Sequence, residues 1–121
     1  MGSLRLFIIT AIALLSVASL TAQSPERMRM ARAYEQSGDP RSAARIYLDL
    51  YDGGATTREV FESVARTLIG LKQYSSLLPL AQERFDQSPT AALAALSASL
   101  MARTGDMTNA DTWWSKATQL G

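Results

Sequence analysis

The side chains that most often carry chemistry are missing from this chain of 121 residues, which has no histidine and no cysteine. A serine nucleophile would need a nearby base, and the two lysines, Lys72 and Lys116, stand in no serine motif. Two acidic pairs remain. Glu59 and Glu62 are three residues apart, as are Asp49 and Asp52. Carboxylates at that spacing on one helix can share a hard cation, but nothing else in the sequence converges on either pair. They read more plainly as first-turn acids favoured by the helix dipole and as surface and turn acids. The expectation is a chain that is not an enzyme and has no catalytic, cofactor or metal site. Of the twelve basic residues ten are arginine, scattered rather than clustered. No polybasic membrane patch forms, and nucleic acid, which needs a basic surface, is not an expected partner.

The first stretch stands apart. "MGSLRLFIITAIALLSVASLTAQS" opens with Arg5, continues through an apolar run from Leu6 to about Leu15, and ends in small residues. This is the pattern of a secretory signal peptide over residues 1–22, with cleavage after Ala18 or Ala22. The expected location is therefore periplasmic or secreted, with the membrane met only transiently. The alternative is an uncleaved anchor, for which the apolar run is short against the roughly 20 residues a spanning helix needs. Without Arg5, eleven basic side chains balance eleven acidic ones. Without cysteine, an exported chain has neither a disulfide nor a lipid-bearing thiol.

Residues 23–121 read as helix throughout. Apolar residues recur at spacings of three and four: Met28, Ala31, Tyr34; Val60, Val64, Leu68, Leu71; Leu77, Leu80, Ala81, Phe85. Start and stop signals cut the stretch into about six helices. Ser24-Pro25, Asp39-Pro40 and Ser88-Pro89 each place a capping side chain before a proline in the first turn. Thr56 with Glu59 makes a capping box, and Thr108 with Asp111 resembles one. Ser76 as N-cap would keep Pro79 within a first turn. Gly38, Gly53-Gly54 and Gly105 mark helix ends.

The chain also repeats. Shifted by 34, Ala31 falls on Ala65, Tyr34 on Leu68 and Tyr47 on Ala81. A further shift of 33 carries these to Ala98, Met101 and Trp114. A period near 34 with two helices per unit marks a helical repeat array. The units read Met30-Ala31-x2-Tyr34 with Ala43-x3-Tyr47; Phe61-x2-Val64-Ala65-x2-Leu68 with Leu77-x3-Ala81; and Ser97-Ala98-x2-Met101 with Ala110-x3-Trp114-x2-Ala117. In this pattern the chain resembles the tetratricopeptide repeat (TPR) family. The second unit departs from it by reversing the sizes at Leu77 and Ala81, and the third has a first helix poor in bulk. The resemblance implies an all-α fold, a right-handed α-solenoid of three helix-turn-helix repeats at about 24–57, 58–90 and 91–121. Small residues such as Ala43 and Ala65 would admit a neighbouring helix, and large ones such as Tyr47 and Trp114 would fill the space beside it.

The same resemblance implies function. The first helix of each repeat would line a concave groove for an extended peptide or partner helix. That face would carry Met28, Arg32 and Glu35, then Glu62, Arg66 and Ile69, then Ser99 and Arg103, with Ala95 and Ala102. Arg32 and Arg66 hold equivalent places, and two guanidinium groups could bind a carboxylate or phosphate bidentately. They could instead pair with Glu35 and Glu62 at helical spacing. The lysine and asparagine by which some family members clamp a C-terminal carboxylate are absent, since Met28 and Arg32 stand there. The alanine-rich stretch from Ala91 to Ala102 reads as a helix squeezed between neighbours. Trp113, Trp114 and Leu120 close the chain with apolar surface. Only one of two adjacent tryptophans can face inward, so this edge is a candidate for self-association, partner docking or continuation into a longer array. The expected function is an exported adaptor or scaffold that binds protein. The alternatives are a self-assembling module, the first part of a larger TPR protein, and a helical accessory to an enzyme elsewhere.

Overall fold

The computed structural model describes residues 24–121, so the leader assigned to residues 1–22 lies outside the described residues. Six helices and no strand are found among the described residues. α1 spans residues 24–36. α2 is Pro40–Asp52, α3 Arg58–Gly70, α4 Tyr74–Gln87, α5 Ala91–Arg103 and α6 Met107–Leu120. None of them is long and apolar enough to cross a membrane. The all-α fold expected from the sequence is the one observed.

The helices join in three hairpins, and one turn closes all three. After α1, Gly38 N–H donates to Glu35 C=O and Asp39 N–H reaches back to Tyr34 C=O. After α3, Lys72 donates to Ile69 and Gln73 to Leu68; after α5, Gly105 donates to Ala102 and Asp106 to Met101. The residue that turns the chain is left-handed each time, with φ of 84° at Gly38, 59° at Lys72 and 89° at Gly105. These bonds satisfy the last carbonyls of the leaving helix. Glycine takes the conformation freely, whereas lysine pays about 1 kcal/mol for it.

The next residue then caps the following helix. Asp39 accepts from Ser42 N–H at 3.1 Å and from the Ser42 hydroxyl at 2.6 Å. The Ser42 hydroxyl first, then its amide, hold the Asp39 carboxyl below the ordinary aspartate range. Asp106 does the same work for Asn109, whose N–H and side-chain amide bond it at 3.3 and 2.8 Å. Gln73 makes no such bond.

These turns correct several expected starts. The last turn of α5 runs straight into Asp106, so α6 is capped there and not by a Thr108–Asp111 box. α4 begins at Tyr74 for the same reason, which leaves Pro79 as its sixth residue instead of in its first turn after Ser76. Ser88 N–H closes α4 on Arg84 C=O, and α5 is capped by Thr90, which accepts from Leu93 N–H at 3.2 Å. Residue 24 is already helical, so Ser24 is not a cap. At the start of α3, Thr57 accepts from Val60 N–H, and Thr56 N–H donates to Gly54 C=O in the turn before it.

The described residues fall into two compact units, one ending at Ser63 and one running Val64–Gly121. In the first, Ala31, Ala43 and Tyr47 are fully enclosed, with Met28, Leu50, Tyr51, Val60 and Phe61 around them. The Tyr47 hydroxyl donates to Glu35 at 2.6 Å, tying α2 to α1, and the Tyr51 and Phe61 rings lie 6.0 Å apart. In the second, α5 packs along both α4 and α6, burying Leu68, Leu77, Ala81, Ala94, Ala98, Leu100 and Ala110. Burial of such a set supplies most of the driving force for folding. The Ser97 hydroxyl lies in this core without a hydrogen-bond partner among the described residues. The alanine-rich α5 is the helix squeezed between two neighbours, as its composition suggests.

The size pattern of the repeat holds at Ala43 and Tyr47 in the first unit and fails in the last helix. Trp114, expected to fill the space beside Ala110, is 46% exposed. Its neighbour Trp113 packs instead, edge-on to Phe85 with centroids 4.9 Å apart. The Lys116 ammonium lies 4.1 Å from the Trp113 ring centre, a cation–π arrangement.

Candidate functional site

The first unit carries a cleft of about 710 Å³. α1 forms one wall with Arg27, Met28, Arg29 and Arg32. The end of α2 and the link after it form the other with Asp49, Leu50, Gly53, Gly54 and Ala55. Thr57, Glu59 and Val60 at the start of α3 complete it. The link explains the opening. Five residues, 53–57, join α2 to α3, against three, 88–90, between α4 and α5. Gly54, at φ 106°, supplies the left-handed residue that ends α2, and the extra residues carry the chain clear before Thr57 restarts it.

Charge is paired across this cleft. Arg27 reaches Asp49 at 3.4 Å, from α1 to α2, and Arg32 pairs with Glu59, from α1 to α3. All four side chains are more than one-third exposed, so each pair contributes little to stability and remains open to exchange for a ligand's charges. Among the described residues Arg29 pairs with Glu26, at 3.3 Å on its own helix. Between the pairs lie the buried Met28, Leu50 and Val60. An apolar strip between arginine and carboxylate rims fits an extended peptide with mixed charges: the strip takes a side chain, and the rims take charged groups by bidentate bonds.

The groove residues named from the sequence distribute unevenly. Met28 and Arg32 line the cleft. Glu35 does not pair with Arg32; it accepts from Tyr47, while Arg32 crosses to Glu59. Glu62 pairs with Arg58 one turn away, at 2.8 Å. Glu59 and Glu62 are thus each paired with a different arginine. No cluster of three or more potential metal ligands occurs among the described residues. In the second unit Arg66 is exposed, and Ile69 and Ser99 are half-buried. Arg103 bonds the Tyr74 hydroxyl at 3.0 Å with its guanidinium over the ring. At the end of α6, Trp113 is half-buried, whereas Trp114 and Leu120 are exposed.

Sequence reasoning missed Arg27, Arg29, Asp49 and Glu59 as members of one site. Asp49 read as a surface acid and Glu59 as a helix-start acid. The usable signal was Gly53-Gly54 followed by three further residues, a longer gap than the repeat requires. Comparison with family models and with characterised proteins finds no match to this chain.

Proposed function

We propose that the chain is a non-catalytic, TPR-like protein-binding module, exported by its leader, that holds an extended peptide in the cleft of the first unit. The observation that carries this reading is the cleft's make-up: Met28, Leu50 and Val60 lie between the Arg27–Asp49 and Arg32–Glu59 pairs. The three hairpins with one shared turn support the repeat reading, and the sequence of residues 1–22 supports export. The ligand class is a peptide with an acidic group set near an apolar side chain, for which Arg32 exchanges Glu59.

Display of a random peptide library against the purified chain tests this. The expected result is enrichment of peptides with an acid next to a large apolar residue, with binding that weakens as salt rises. Arg32→Glu should reduce affinity about tenfold or more, as loss and reversal of a charged pair does. Arg103→Ala, in the second unit, should leave it unchanged. Equal loss in both variants, or no enrichment, would overturn the assignment.

A further inference from the structure

The repeat leaves one helix edge uncovered in the first hairpin and one in the last. Met30 and Tyr34 of α1 correspond to Val64 and Leu68 of α3 and to Ser97 and Met101 of α5. The four residues of α3 and α5 are buried, whereas Met30 and Tyr34 are 54% and 38% exposed. On the second helix of each hairpin, Trp114 corresponds to Tyr47 and Ala81. Those two have no exposed surface, and Trp114 has nearly half of its own. The large apolar side chains exposed among the described residues all lie on α1 and α6.

The inside of the chain shows what such edges pack against. In the second unit α4 lies along α5, and Ala81 on one helix and Ser97 and Met101 on the other are buried. α6 presents the face that α4 presents there, and α1 the face that α5 presents. Charge agrees with this pairing. Asp111 stands one turn from Trp114 with no ion pair among the described residues, and Arg27 stands one turn from Met30, held by a 3.4 Å contact.

We propose that copies of this chain associate head to tail, with the Met107–Trp114 edge of α6 in one copy seated on the Met30–Tyr34 edge of α1 in the next. The contact continues between chains the packing that α4 and α5 make within one. Because the two faces differ, the association is heterologous and extends into chains or rings instead of stopping at a symmetric pair. It goes beyond the peptide-binding reading, and neither Met30 nor Tyr34 lines the cleft.

Light scattering on the purified chain over a concentration series tests this directly. The average mass should rise past that of a dimer. Trp114→Glu and Met30→Glu should each remain monomeric alone, and Tyr34→Glu should match Met30→Glu. An equimolar mixture of Trp114→Glu with Met30→Glu retains one intact edge of each kind, so it should form a species of twice the monomer mass that grows no further. That recovery also shows both variants to be folded. A dimer lost in Trp114→Glu but kept in Met30→Glu and Tyr34→Glu would mean a symmetric α6 contact and would overturn the proposal. So would a mixture that fails to recover, or a parent chain that stays monomeric to its solubility limit. Those results would leave the edges to residues 1–23 or to a different protein.

Discussion

Tyr47 and Trp114 hold the same place in the first and last hairpins, and their environments are opposite. Tyr47 is enclosed and spends its hydroxyl on Glu35. Trp114 has the larger ring, the same small partner four residues before it, and open surface. Residue type therefore does not decide burial at this position; what packs over it does. A second contrast runs through the turns. The first and third hairpins turn on Gly-Asp, and the middle one makes the same hydrogen bonds with Lys72-Gln73, lacking both the free φ and the cap. The middle hairpin is thus built to one plan with poorer parts.

The largest effect expected from this contrast comes from its two aromatic residues. Tyr47→Ala should destabilise the fold by about 3–5 kcal/mol, as emptying a buried aromatic site does. Trp114→Ala, measured in dilute solution by urea unfolding, should stay within about 0.5 kcal/mol of the parent, as exposed positions do. Similar losses at both positions would break the comparison. Next in size, Lys72→Gly combined with Gln73→Asp should give the middle turn the chemistry of the other two. Relief of the left-handed lysine and a new cap should together add about 2 kcal/mol to the unfolding free energy. A loss of stability would show that Lys72 has a role that the turn hydrogen bonds do not explain.

The smallest effect concerns the last hairpin alone. Ser97 stands where α3 has Val64, buried and with its hydroxyl unpartnered. Ser97→Ala removes that hydroxyl and should raise stability by about 1 kcal/mol. A fall of similar size in the same urea titration would mean that the hydroxyl is satisfied in solution.

The helices and their phase were legible because punctuation and period agreed. Gly38-Asp39 and Gly105-Asp106 mark both the stop and the start, and a shift of 34 then 33 carries one hairpin onto the next. Cap positions were less legible. A side-chain cap competes with backbone turn bonds, and at Lys72-Gln73 the backbone won with neither glycine nor aspartate to announce it. An exposed tryptophan at the end of the chain was legible, but which of the two it is was not: the pattern puts Trp114 inward, and Trp113 packs instead. The cleft was the least visible feature. Helical spacing offers Arg32 a partner three residues away in Glu35, while its actual partner, Glu59, lies 27 residues along the chain.

The thrice-used turn bears on how the chain folds. Its hydrogen bonds reach back no more than five residues, from Asp39 to Tyr34, Gln73 to Leu68 and Asp106 to Met101. Closing so short a loop costs little chain entropy, and topologies dominated by local contacts fold fast. Each hairpin can therefore nucleate without waiting for the others. The middle hairpin, with a lysine in the turn and no cap, is expected to be the slowest nucleus of the three, which φ-values lower there than at the two Gly-Asp turns would show.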